Sequence, residues 1–129
     1  MLLLKDIMTT NVVTAGKDLP IYDAAVLMVD HHVTGIPIVD GENTLIGILS
    51  EYDILRLLKE TTPDEPKTVE DFMTRNVVSF DESASVISAW EFFLETPTKR
   101  RVPVVRNGKL VGVVSRGDIV RQIVKLKRP

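Results

Sequence analysis

The chain of 129 residues contains no cysteine. That excludes a disulfide framework, a thiolate metal site and a cysteine nucleophile. Only two histidines are present, adjacent at His31-His32. Neighbours on a helix diverge, so they lack the i,i+4 spacing of a chelating pair, and no metal site is expected. Aromatic residues make up 5% of the chain. None interleaves with the basic tail residues Lys125, Lys127 and Arg128, and the net charge is −2, so a nucleic-acid partner is not expected. Long apolar runs are also missing. Met1-Leu2-Leu3-Leu4 runs straight into Lys5-Asp6, too short for a signal peptide or a membrane span; a cytoplasmic protein with no membrane partner is expected. There is no P-loop and no Gly-x-Gly-x-x-Gly. Gly47-Ile48-Leu49-Ser50-Glu51 lacks the final glycine of a nucleophile elbow, and the carboxylates have no partner arranged for acid–base work. No catalytic residue, no enzyme activity and no required cofactor are expected.

What is present is a duplication. Asp6-Ile7-Met8-Thr9-Thr10-Asn11-Val12-Val13-Thr14 returns 65 residues later as Asp71-Phe72-Met73-Thr74-Arg75-Asn76-Val77-Val78-Ser79. Gly47-Ile48-Leu49-Ser50-Glu51-Tyr52-Asp53-Ile54 returns at the same offset as Gly112-Val113-Val114-Ser115-Arg116-Gly117-Asp118-Ile119. Two long copies are not a solenoid, whose units are shorter and more numerous. A hydrophobic content of 44% and a charged content of 26% fit a soluble globular body. Each half alone would bury too little surface, so the halves should share a core. Residues 1–60 form the first repeat, 61–68 a linker with Pro63 and Pro66, and 69–129 the second repeat.

The first copy predicts a helical turn over 5–8, an extended segment over 11–14, and a helix over 19–31 capped by Asp18. A hairpin of strands follows over 35–39 and 45–49, then a helix from Ser50 through about Leu58. The second copy predicts a helix from Ser83 to about Glu95, with Trp90, Phe93 and Leu94 as its bulky core face. Strands over 102–105 and 110–114 meet at Asn107-Gly108, a strong hairpin-turn signal. The last helix covers 116–126. Strand, helix, strand, strand, helix in each copy makes an α/β (α+β) fold, a small mixed sheet packed with two helices per repeat. Val13 and Val78 read as ordinary core.

Three motifs now stand in order, twice: Met-Thr-x-Asn-Val-Val-[Thr/Ser], a strand with [Ile/Val]-Pro-[Ile/Val]-Val, and a closing Gly-x-x-Ser-x-x-Asp. Together they resemble the CBS domain over nearly the whole chain, from Lys5 to about Val124. The resemblance implies a stand-alone tandem pair, or Bateman module, of two repeats related by a pseudo-twofold axis. It also implies clefts between them that take AMP, ADP, ATP or S-adenosylmethionine as regulatory ligand, and pairing of two modules into a homodimer. By the same resemblance Asp53 and Asp118 grip the ribose hydroxyls, and Thr14 and Ser79 help to wall the base.

The residues give this a chemical basis. Ser50-x-x-Asp53 and Ser115-x-x-Asp118 follow a strand and open a helix, where unsatisfied N–H groups favour an anion. A carboxylate accepts only, which suits two vicinal hydroxyls and argues against a 2′-phosphate. The same spacing is also a helix capping box that needs no ligand. Pro37 and Pro103, expected at strand starts, leave the backbone of Gly35-Ile36 and Arg101-Val102 available to an adenine edge, although edge protection alone explains them too. The copies differ in charge. Residues 1–64 hold four basic and ten acidic residues; residues 65–129 hold twelve and eight. Lys99-Arg100-Arg101 and Arg116 in the second copy replace Val33-Thr34-Gly35 and Glu51 in the first. Arginine forks match phosphate oxygens, so the Asp118 cleft is expected to be the better phosphate binder. The functional expectation is a regulatory adenosyl-binding module acting on an unidentified partner. The alternative is a purely structural dimerisation module.

Overall fold

A computed structural model describes residues 2–59 and 67–128. Among the described residues the elements follow in order: α1 (Leu4–Ile7), α2 (Ile21–Asp30), β1 (Gly35–Val39), β2 (Leu45–Ser50), α3 (Glu51–Leu55), α4 (Val69–Phe72), β3 (Phe80–Asp81), α5 (Val86–Glu95), β4 (Arg101–Arg106), β5 (Lys109–Ser115) and α6 (Arg116–Lys127). A tight 3-10 turn, Arg56–Lys59, extends α3. The expected linker lies outside the described residues from 61 to 66.

The chain divides into two compact units, one of Met1–Val12 with Val78–Pro129, the other Val13–Val77. These units do not follow the sequence repeats. Each repeat lends its opening segment to the unit built around the other repeat. The core expected to be shared between the halves is therefore two cores, each containing residues of both repeats.

In the 13–77 unit, β1 and β2 pair antiparallel, with Gly35 opposite Ser50 and Ile38 opposite Gly47. Ala15 runs parallel beside Ile38, and Thr74 closes the other side against Ile48. The resulting mixed sheet packs on α2 and α4. Its core holds Ile21, Ala24 and Met28 of α2, Ile36, Ile38 and Leu49 of the hairpin, and Val69, Phe72 and Met73 of the second repeat's opening. The 78–129 unit repeats the plan. β3 pairs parallel with β4, which pairs antiparallel with β5, and Thr9 bridges to Val113. Leu4, with no solvent exposure, joins Ala89, Phe93, Val102, Val104, Val114 and Ile119 in the second core.

The register explains the prolines. Pro37 and Pro103 lie inside their strands and are buried, not at strand starts. The Ala15 N–H donates to the Pro37 carbonyl at 3.3 Å. A residue's N and O point to the same side of a strand, so the missing proline N–H faces Ala15 and leaves the ladder to β2 intact.

Several local expectations are corrected. α2 begins at Ile21 after Pro20, with no side-chain cap from Asp18. Pro20 instead bridges to Thr68. The Ile21 N–H donates to the Lys67 carbonyl at 3.0 Å, so the segment before α4 does the work of a side-chain cap. α5 starts at Val86 with Ser85 as its cap, because the Ser83 hydroxyl is bound to Asp81. Phe93 faces the core, whereas Trp90 and Leu94 are exposed. The helical period turns these two away from the stripe of Ala89 and Phe93. Phe92 packs edge-on against both Phe80 and Phe93. Val13 packs on its core, but Val78 is exposed just before β3.

Candidate functional site

Each unit carries one strand–helix junction with a buried carboxylate. Asp53 is 4% exposed and Asp118 is 8% exposed, the two buried charged residues among those described. Both sit at the third position of a helix, α3 and α6, whose N-cap is the preceding serine.

The capping box is complete in both. Asp53 Oδ2 accepts from the Ser50 N–H at 2.8 Å and the Ser50 hydroxyl at 3.0 Å, and Ser50 Oγ accepts from the Asp53 N–H at 3.3 Å. Asp118 Oδ2 accepts from the Ser115 N–H at 2.8 Å, and Ser115 Oγ accepts from the Asp118 N–H at 3.1 Å. These bonds fix the carboxylate against the strand end. They leave its Oδ1 turned toward an arginine one turn on.

That arginine escaped the sequence reading. Asp53 Oδ1 meets Arg56 Nη1 at 3.5 Å, and Asp118 Oδ1 meets Arg121 Nη2 at 2.5 Å. The signal was present: Ser-x-x-Asp-x-x-Arg occurs in both copies at the 65-residue offset. Steps of three place all three side chains on one helix face.

The remaining site residues assemble within each unit. In the 13–77 unit, Gly35 lies opposite Ser50 in the ladder, and the Glu51 N–H donates to the Thr34 carbonyl at 3.0 Å. Thr14 precedes Ala15, which runs along Pro37-Ile38-Val39. Thr14, Gly35, Ile36, Pro37, Ser50 and Asp53 are thus drawn to one end of one small sheet. In the 78–129 unit, Arg101 lies opposite Ser115, and Ser79 leads into β3, which runs beside Val104 and Val105, just past Val102 and Pro103 in β4. Ser79, Arg101, Val102, Pro103, Ser115 and Asp118 occupy the matching places.

Arg116 is engaged differently from the expectation of a free phosphate fork. Its Nε donates to the Lys99 carbonyl at 2.8 Å, its Nη2 donates to the Pro97 carbonyl, and its own N–H donates to the Arg100 carbonyl at 3.0 Å. It clamps the loop before β4. Lys99, Arg100 and Arg101 are exposed and carry the positive charge there. Glu51, at the position of Arg116, is exposed.

Each site combines a buried acceptor, strand backbone and helix N–H groups. Among the described residues no cluster of three His, Asp or Glu stands ready for a metal. No described helix is long and apolar enough to cross a membrane.

The family model described as CBS domain matches residues 4–60 and 69–125. The uncharacterized protein YlbB of Bacillus subtilis is 37% identical over 118 residues, covering 90% of this chain and 78% of that protein. The crystal structure of CBSX2 in complex with AMP superposes with a TM-score of 0.88 at 34% identity, covering 99% of this chain and all of that one. This chain spans 56% of the full CBSX2 protein of Arabidopsis thaliana. The CBS domain pair of protein MJ0100, in complex with 5-methylthioadenosine and S-adenosyl-L-methionine, superposes with a TM-score of 0.81 at 32% identity, covering 98% of this chain and 99% of that one. The duplicated motifs, the α/β units they build and these matches converge: the chain belongs to the CBS domain family, as a tandem pair of CBS domains.

Proposed function

We propose that the chain is a regulatory module that binds an adenosyl ligand and transmits its presence to a partner protein. The supporting observation is the duplicated buried carboxylate at a strand–helix junction, in a fold whose relatives hold AMP or S-adenosyl-L-methionine. Asp53 and Asp118 would accept the ribose hydroxyls. The strand backbone at Gly35-Ile36-Pro37 and Arg101-Val102-Pro103 would meet the adenine edge, beside Thr14 and Ser79. Ser50 and Ser115, with the helix N–H groups, would face the anionic part. The ligand set is AMP, ADP, ATP or S-adenosylmethionine. It acts by preferring one of two states of the protein, since only differential affinity shifts an equilibrium. The role is regulatory and not catalytic.

The two sites are proposed to differ in charge preference. Lys99, Arg100 and Arg101 favour a phosphorylated ligand at the Asp118 site, with Arg116 holding their loop in place. Glu51 disfavours phosphate at the Asp53 site.

A homodimer is part of the proposal. Tyr22, Val26 and Val29 form an exposed apolar stripe on α2, and Ile87, Trp90 and Leu94 form one on α5. Exposed aromatic and aliphatic faces of this kind suit pairing of two copies. The same stripes favour the second reading, a dimerisation module without ligand.

Calorimetric titration of AMP and ATP into the wild type and Asp118→Ala separates the readings. A charged hydrogen bond contributes about 1.5–3 kcal/mol, so the variant should bind about tenfold or more weakly. Unchanged affinity in the variant would refute the site. No binding to the wild type would leave the dimerisation module.

A further inference from the structure

The repeated arginine has a different setting in each unit. Arg56 lies 3.5 Å from Asp53 and also covers the ring of Phe72, with its guanidinium carbon 5.5 Å from the ring centroid. The aromatic face competes for the cation and keeps the ion pair loose. At the 65-residue offset, the place of Phe72 is taken by Ile7, which has no π face. Arg121 closes on Asp118 at 2.5 Å.

The acceptor capacity of the two carboxylates also differs. A carboxylate offers about four lone-pair sites, two on each oxygen. Asp53 Oδ2 takes both the N–H and the hydroxyl of Ser50, so it is filled until that hydroxyl turns away. Among the described residues, Asp118 Oδ2 takes the Ser115 N–H and Oδ1 takes Arg121. One lone pair is left on each Asp118 oxygen, the number that two vicinal hydroxyls require.

We propose that Arg121 is a positioning residue, holding the buried Asp118 carboxylate with one open acceptor on each oxygen for the vicinal diol of an adenosyl ribose. The proposal rests on the adenosyl-binding reading. Arg121 acts through Asp118, and its side chain is 69% exposed while the carboxylate it holds is buried. The exposed end can be trimmed with little loss of packing. The carboxylate would then lose the donor that fixes its second oxygen. The Phe72 ring makes Arg56 a weaker counterpart at Asp53.

The test is calorimetric titration of adenosine and of AMP into the full chain. Wild type is compared with a set carrying Asp53→Asn, so that only the Asp118 site is read. Onto this background are added Arg121→Ala, Arg121→Lys, Asp118→Asn, and Arg121→Ala with Asp118→Asn. Thermal melts establish that each variant is folded. The expected result is a loss of about tenfold for Arg121→Ala, equal for adenosine and AMP, as for removal of a charged hydrogen bond. Arg121→Lys should recover part of it. In the double variant, Arg121→Ala should add nothing to the loss from Asp118→Asn, because its effect passes through that carboxylate.

Unchanged affinity in Arg121→Ala, with Asp118→Asn impaired, would overturn the proposal and leave the adenosyl site standing. A loss confined to AMP would also overturn it, by making Arg121 a direct phosphate contact. Binding to wild type that vanishes in the Asp53→Asn background would refute it as well, since the Asp118 site would then hold no ligand. Failure of wild type to bind either compound would refute the adenosyl reading itself.

Discussion

At the residue scale, single side chains hold loop geometry through charge. Asp81 lies before α5 and accepts from both the Ser83 hydroxyl and, at 2.9 Å, the Ser83 N–H. The hydroxyl bond is the largest cause holding this carboxyl below its ordinary range; the N–H and Arg106 act the same way, and desolvation opposes them. The folded-state value is the lower one. The interaction therefore favours the fold above the ordinary carboxylate range, and that contribution disappears as the pH falls through the folded-state value. Replacing Ser83→Ala should raise the Asp81 pKa, as read from its side-chain carboxyl resonance in an NMR titration; a value that does not move would refute the hydroxyl's role. The sequence marked Ser83 as a helix cap, because a serine before an apolar stripe reads that way. Asp81 sits two residues earlier and takes the hydroxyl first, which hands the cap to Ser85.

At the scale of elements, hairpins were legible and interlocking segments were not. Asn107 and Gly108 both have positive φ, 51° and 79°, as a two-residue type I′ turn between β4 and β5 requires. Local chemistry alone specifies such a turn. The reason for Gly47 and Gly112 is not local. A Cβ at Gly112 would lie 2.7 Å from Met8 Sδ and 2.8 Å from the Thr9 carbonyl oxygen. At Gly47 it would lie 2.8 Å from Met73 Sδ and 3.0 Å from the Thr74 carbonyl oxygen. The Met-Thr motif of each repeat thus sits on the glycine of the other repeat's second strand. A sulfur at the end of a flexible side chain can yield, but a carbonyl paired into the sheet cannot. Gly112→Ala should destabilise the protein by about 1–3 kcal/mol through overpacking, measured by thermal or urea unfolding. Unaltered stability would show that the opening segment shifts freely, contrary to the Thr9–Val113 bridge.

At the scale of the whole molecule, the unit of sequence and the unit of packing are out of phase. Leu4, from the first repeat, is fully buried among Val102, Val104 and Val114 of the second. Phe72, from the second, is buried among Ile36, Ile38 and Leu49 of the first. A fragment cut along the repeat, residues 1–60, would lose Val69, Phe72 and Met73 and leave Leu4 without its core. A fragment of residues 13–77 keeps one complete core. It should show cooperative unfolding and protected amides in β1 and β2, while 1–60 should not, as judged by denaturant melts and hydrogen exchange. Equal folding of the two fragments would contradict the exchange.

Most elements, though not the caps of α2 and α5, were legible from the residues alone, as were the duplication and the carboxylate-bearing motif at each strand–helix junction. Those rest on periodicity, turn residues and spacing, all of which act within a few residues. Ser-x-x-Asp could be read as a capping box and as a ligand site, and both of its serine–aspartate bonds are formed. Tertiary structure decided which segments complete which core, why Gly47 and Gly112 carry no side chain, and how each aspartate is held. Arg116 reads from sequence as a phosphate fork, yet the backbone carbonyls of Lys99 and Pro97, 17 and 19 residues earlier, occupy its guanidinium. Arg56 and Arg121 share one motif, but a phenylalanine of the other repeat stands against one and an isoleucine replaces it for the other. Contacts between residues far apart in the chain depend on packing, which local patterns do not encode.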